Sequence, residues 1–173
     1  MIRIFFLSLM FLFSHANSAI TEERIAFIDI NFIFLNSTAG KNLNLQISDQ
    51  NNKLNNEIES FKNKIDDNKK KILSQKNVLS EADYKAKLKK LENDIREINL
   101  TISKKNSDLS LFKSKVEQKF FEQLNIIVQD YSINNSISLI LKKENLLMAK
   151  KNLDITSDIF KIFNEKIKKI NIK

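Results

Sequence analysis

The chain has 173 residues, 29 Lys plus Arg against 21 Asp plus Glu, and a formal net charge of +8. It has no Cys, no Pro and no Trp, one Gly (Gly40) and one His (His15). Thiol chemistry, Cys- or His-built metal sites and glycine-rich phosphate loops are thereby excluded, and with His15 inside a segment expected to be removed, so is imidazole acid–base catalysis. The absence of Pro lets helices run without a forced break. Lys, Asn, Ile and Phe fill 86 positions, a bias that AT-rich codons also produce. The position of the basic residues, not their total, therefore has to carry any functional argument.

Residues 1–19 have the order of an export signal: a basic start at Met1-Ile-Arg3, an apolar run from Ile4 to Phe13, and small residues from Ser14 to Ala19. The run is too short to span a bilayer, which needs roughly 20 apolar residues. Cleavage after Ala16, Ser18 or Ala19 fits, with Ala19 preferred. An exported chain without cysteines must be held together by helix packing or by association with other chains.

Arg24-Ile-Ala-Phe-Ile-Asp-Ile30 is apolar and β-branched and reads as a strand. From Lys41 to about Leu79 the apolar residues follow a heptad, with Ile58, Ile65, Ile72 and Leu79 on one line and Ile47, Leu54 and Phe61 on the other. Asn44, Asn51, Asn68 and Gln75 interrupt that seam. A second run, Tyr84, Leu88, Leu91, Ile95, Ile98, Ile102, Leu109, Phe112 and Val116, alternates spacings of three and four with a gap at Lys105. Its stripe then shifts to Phe120, Leu124 and Ile127. Ser80, with Asp83 three residues on, is a helix start, so the chain is expected to turn near 78–83 rather than continue as one dimerising rod. Residues 41–130 are thus predicted to form a long antiparallel coiled-coil hairpin, with Gly40 turning the chain into it.

After the hairpin, Ile137–Leu141 and Leu146–Ala149 are predicted strands, with Lys142–Asn145 as their turn. Asp154-Ile-Thr-Ser-Asp158 caps a final helix whose apolar face is Ile155, Ile159, Ile162, Phe163, Ile167 and Ile170. Residues 20–40 and 131–173 are expected to form a small β-containing body, which makes the fold mainly α with a small β part (α+β). Phe27, Ile28, Ile30, Leu139 and Leu141 are its candidate core or subunit contacts. So thin a core, with open strand edges, favours oligomerisation.

Residues 62–90 hold ten lysines against four carboxylates. Removing Arg3 with the export segment leaves the mature chain at +7, so nearly all of its surplus lies at the far end of the arm. Lys69, Lys70, Lys71 and Lys76 before the turn, and Lys85, Lys87, Lys89 and Lys90 after it, are the candidate contacts for acidic clients or anionic lipid headgroups. No aromatic platform accompanies them beyond Tyr84, which the heptad claims for the seam. Nucleic acid is therefore not an expected partner. Asp29, Asp154 and Asp158 are better read as structural and helix-cap charges than as an acid–base pair, and no catalytic, metal or cofactor site is expected.

Ile25-Ala-Phe-Ile-Asp29, Ser37-Thr-Ala-Gly-Lys41 and Asp154-Ile-Thr-Ser-Asp-Ile159 resemble the signatures of the Skp/OmpH family of periplasmic chaperones. The order of signal, strand, long hairpin, strands and last helix matches over residues 20 to about 170. The resemblance implies a homotrimer in the periplasm: three β bodies associate, three arms surround a cavity, and unfolded outer-membrane β-barrel proteins are bound without ATP or covalent chemistry. The alternative is a structural or adaptor coiled coil of the cell envelope, which would bind one folded partner.

Overall fold

A computed structural model describes residues 23–172; the expected export segment at residues 1–19 lies outside them. Strand β1 (Arg24–Ile28) pairs in parallel with β2 (Ile137–Lys142), with Ile25 opposite Leu139 and Phe27 opposite Leu141. A parallel pair cannot be joined by a tight turn and needs a long crossover. Here the crossover is the whole arm.

Between β1 and the arm lies a short helix that the sequence pattern does not announce, α1 (Ile30–Asn36). Its run of Ile, Phe and Leu carries no helical period and is rich in residues that favour strands, so its cap decides. Asp29 Oδ1 accepts the Phe32 N–H at 2.8 Å. Ser37, fully buried and extended at φ −69 and ψ 154, then breaks the helix. Its N–H donates to the Ile33 carbonyl at 2.9 Å and its hydroxyl accepts the Gly40 N–H at 3.1 Å, so one residue closes α1 and opens α2.

Helix α2 (Thr38–Ser74) begins three residues before the expected Lys41, which places Gly40 inside its first turn and not in a connecting turn. The glycine is required for another reason. A Cβ at Gly40 would collide with the Phe34 carbonyl and lie 2.9 Å from Ser37 Oγ. Its missing side chain lets the ends of α1 and α2 meet.

The chain reverses at residues 75–80, and Ser80 starts α3 (Glu81–Asn134) by accepting the Asp83 N–H at 3.1 Å. At 1.5 Å per residue the two helices are about 56 and about 81 Å long. The extra length of α3 enters the body. Val116, Phe120, Leu124 and Ile127 are buried there with Ile28, Ile33, Ile155, Ile159 and Phe163 in one core. The shift of the apolar stripe near residue 120 therefore marks where α3 exchanges α2 for the body as its partner. Phe120 sits at the centre of that exchange, 4.9 Å from the Phe34 ring and 5.1 Å from Phe163.

The expected third strand at Leu146–Ala149 does not form. After β2 the chain makes 3-10 turns at Lys143–Asn145 and Lys151–Leu153 and crosses to the far edge of β1. There Asp154 bridges Phe27, and the Ile155 N–H donates to the Phe27 carbonyl at 3.0 Å. The outer side of β2 carries no strand among the described residues. Helix α4 (Thr156–Lys166) follows, its entry fixed by Asp154 Oδ1 accepting the Thr156 N–H at 2.9 Å.

Asp29 ties these pieces together. Besides capping α1, its Oδ2 accepts from Lys143 Nζ at 2.9 Å and its own N–H donates to Thr156 Oγ1 at 2.9 Å. The Lys143 ammonium, chiefly through that hydrogen bond, holds the Asp29 carboxyl below its ordinary value of 3.8. Protonation therefore costs more in the folded state than in the unfolded chain. The stability this adds is complete above pH 3.8 and is lost as pH falls through the lower folded value.

Substitutions at three positions test these contacts. Gly40→Ala should destabilise the chain by about 1–3 kcal/mol despite alanine's better helix propensity, because the new methyl meets backbone; thermal melting checks it. Phe163→Ala should cost about 3–5 kcal/mol in urea unfolding. Asp29→Ala should cost about 1–2 kcal/mol at pH 7, mainly as a lost cap, and Asp29→Asn should flatten the stability decline of the parent below about pH 4.

Candidate interaction surfaces

Apolar or charged side chains are exposed in three regions of the surface: on the body, along the arm and at the arm's far end. On the body, Phe27 and Ile28 are buried, Ile30 is half-buried beside the core, Leu141 is half-buried and Leu139 is 48% exposed. Ala26, Phe27 and Ile28 are buried in succession, so the end of β1 is covered on both faces, while Leu139 lies opposite the exposed Ile25 and stays open to solvent. Leu139 and Leu141 line an open groove of about 490 Å³ together with Phe121, Val128 and Ile137. Phe121 is not distinguished in the sequence because it looks like one more member of an apolar run; only the packing of Phe120 inward leaves it outside. On the same body, Leu147 and Met148 are almost wholly in solvent. A strand edge unpaired among the described residues, an apolar groove and an exposed apolar segment thus occur on one body.

Along the arm the seam is thin. Leu54 and Leu91 are buried, while Ile58, Phe61, Ile65, Ile72, Ile95, Ile98 and Ile102 are half-buried. Asn51, Asn68 and Gln75 occupy seam positions and are also only half-buried. Lys105, in the gap of the second heptad, reaches Glu57 across the seam at 2.6 Å. Both side chains remain well hydrated, so this pair fixes register more than it adds stability. Two helices packed this narrowly leave much of their own apolar contact surface open to a third body. Leu100 and Leu111 add exposed apolar side chains away from the seam.

At the far end, Lys69, Lys70, Lys71, Lys76, Lys85, Lys89 and Lys90 are exposed and Lys87 is half-buried. Lys87 donates to Gln75 Oε1 at 2.7 Å, across the turn. Lys85 pairs with Glu81 at 2.6 Å and Lys90 with Asp94 at 3.0 Å, both one helical turn apart and exposed. Among the described residues Lys69, Lys70, Lys71, Lys76 and Lys89 have no carboxylate partner. The tip lysines and the five body residues occupy opposite ends of the molecule and do not form one site.

Of the three aspartates weighed as possible acid–base groups, Asp29 and Asp154 cap helix starts, as described. Asp158 lies in the first turn of α4 and accepts from the Tyr131 hydroxyl at 3.0 Å. Partial burial, and then this bond, push the Tyr131 phenol above its ordinary value of 10.0. That link seats the end of α3 on α4. Among the described residues no helix is long and apolar enough to cross a membrane, and no group of acidic or imidazole side chains is placed to hold a metal ion.

No curated protein sequence gives a significant match. Among solved structures, the crystal structure of an OmpH-like candidate outer membrane chaperone from Caulobacter crescentus superimposes with a TM-score of 0.78 at 15% identity, over 86% of this chain and 88% of that one. At that identity the likeness shows the fold. The profile of the family described as outer membrane protein (OmpH-like) matches residues 24–163, from the first strand through the body of the last helix. This chain therefore belongs to the OmpH-like outer membrane protein family.

Proposed function

We propose that the chain is an ATP-independent holdase of the periplasm that binds unfolded outer-membrane β-barrel proteins and keeps them from aggregating in transit. Family membership supports the chaperone class, and the Caulobacter crescentus protein of the same fold is described as a candidate outer membrane chaperone. The observation that carries the reading is the arm: a long helical hairpin whose seam side chains are only half-covered. A barrel protein outside its membrane exposes alternating apolar strands and open backbone edges that pair with one another. A helical arm offers no strand edge to template that pairing. Its many half-exposed Ile and Leu side chains give contacts that are weak singly and strong in sum. No nucleotide is invoked, since a single glycine, buried at a helix junction, leaves no phosphate loop.

The proposal includes self-association into a homotrimer. Its support is the outer edge of β2, unpaired among the described residues, the groove beside Phe121 and Leu139, and the exposed Leu147 and Met148. Exposed together on a monomer these features invite aggregation, whereas identical copies can bury them reciprocally. Export is part of the same reading, and so is the tip as the first point of capture for acidic clients.

Dilution of a urea-unfolded outer-membrane protein into an excess of this chain, without nucleotide, should suppress light scattering. Unchanged scattering, or recovery of one folded partner in fixed stoichiometry with no effect on unfolded barrels, would point to an adaptor instead. Replacing Lys69, Lys70, Lys71, Lys87, Lys89 and Lys90 with Glu should slow capture of an acidic client at least several-fold at low salt and weaken its salt dependence. Stopped-flow fluorescence reads the rates, and equal rates would reduce the tip to solvated surface.

A further inference from the structure

We infer that the groove between α1 and α3 at the root of the arm is an anchor site for the aromatic side chains of an extended client strand. This deepens the holdase reading and takes its client class from it. The groove, of about 540 Å³, has three phenylalanines in its wall. Phe34 meets Phe120 edge to face, with ring centres 4.9 Å apart, and Phe120 is itself buried. Phe121, the next residue, is 46% exposed. Half-buried Ile30 completes the apolar wall. A further ring laid here finds aromatic partners for the edge-to-face and offset contacts that such rings favour.

Three features select the occupant. Among the described residues that line the groove, none comes from β2, so a strand held in it meets side chains but no free backbone edge with which to pair. A second copy would instead seek the β2 edge in the neighbouring groove, which Ile30 and Phe121 also line. The anchor site thus adjoins the proposed assembly face on one side and, through Ser114 and Glu117, the arm on the other. Charge is sparse. Among the described lining residues only Glu117 is ionisable. Nearby, Lys119 is paired with Glu122 at 2.7 Å, and Lys142, 5.8 Å from the Phe121 ring centre, lies 3.7 Å from Glu144. Acidic segments drawn to the lysine tip therefore gain nothing at the root. The rim carries exposed Asn31 and Gln118, amides that both donate to and accept from an extended backbone. Strands of membrane barrels alternate apolar with polar residues and carry aromatic side chains near both ends of the apolar band. Such a strand brings a ring and an unpaired backbone to the same place. Charge at the tip attracts the client, and rings at the root hold it.

The chain lacks tryptophan, so a tryptophan in the ligand reports on the ligand alone. The probe is a barrel-type strand peptide of about ten residues with one central Trp, set against the same peptide with Leu there. With the full secreted chain the Trp emission should shift to the blue, and the Trp peptide should bind about fivefold more tightly than the Leu peptide in competition. Ser114→Phe and Asn31→Phe each add a ring to the groove, one from α3 and one from α1; both positions are exposed, so neither change enters the core. Each should erase the preference for Trp, with helicity and sedimentation unchanged, while Asn93→Phe at an exposed mid-arm position preserves it. Equal affinities of the two peptides for the unaltered chain, or an undiminished preference in either folded groove variant, would overturn the anchor site. Aggregation suppression is read separately. A chain that suppresses aggregation without preferring Trp keeps the holdase and loses the anchor; one that prefers Trp without suppressing aggregation keeps the anchor and loses the holdase.

Discussion

The parallel pairing of β1 with β2 is the constraint on which the rest of the molecule depends. Those strands come from opposite ends of the described chain and run the same way, so everything between them must leave the body and return to it. A helical hairpin solves that requirement because its two ends lie side by side. Around the pair, the break at Ser37 redirects the chain from α1 into the arm, and the end of α3 comes back as a wall of the core. Asp29 then joins the exit of β1, the start of α1, the turn after β2 and the entry to α4 through three hydrogen bonds. Arm and body are therefore one folding problem, and loss of packing at Phe120 or Phe163 is expected to loosen both.

The thinness of the arm links stability to function. In a wide bundle the isoleucines of the seam would be covered on all sides. With two helices they are covered on one side, and Asn51, Asn68, Gln75 and Lys105 weaken even that contact. A long hairpin of this kind persists because its base is clamped by the body, since so narrow an isolated pair buries too little to hold itself. The same incompleteness leaves apolar surface distributed along its length, which suits a partner that has no fixed shape.

Much of this was legible in the sequence. The two heptads, the Ser80 start with Asp83, the strands at Ile25 and Ile137 and the helix after Asp154 follow from spacing and capping chemistry alone. What was not legible depends on tertiary neighbours. Helix α1 hides in an apolar run with no period, and only the Asp29 and Ser37 caps define it. Gly40 looked like a hinge because glycine permits turns, whereas its role is to admit the Phe34 carbonyl. Leu146–Ala149 is apolar but has no β-branched residue and pairs with no strand among the described residues, so its apolar character overstated it. The lysine cluster was visible as a charge pattern; the turn across which Lys87 meets Gln75, and the exposure of Phe121 and Leu147, are products of which neighbours turn inward.

The outer edge of β2, unpaired among the described residues, connects the fold to the proposed activity, because in the proposed assembly a body that hides this edge against copies of itself also sets how many arms surround a client. Sedimentation equilibrium of residues 20–173 at micromolar concentration tests that link most directly. The proposed assembly requires three times the mass of one chain, reduced to a single-chain mass when Leu139 and Leu141 are both changed to Asp with helicity retained. A single-chain mass for the unaltered protein, accompanied by full suppression of outer-membrane protein aggregation, would contradict it.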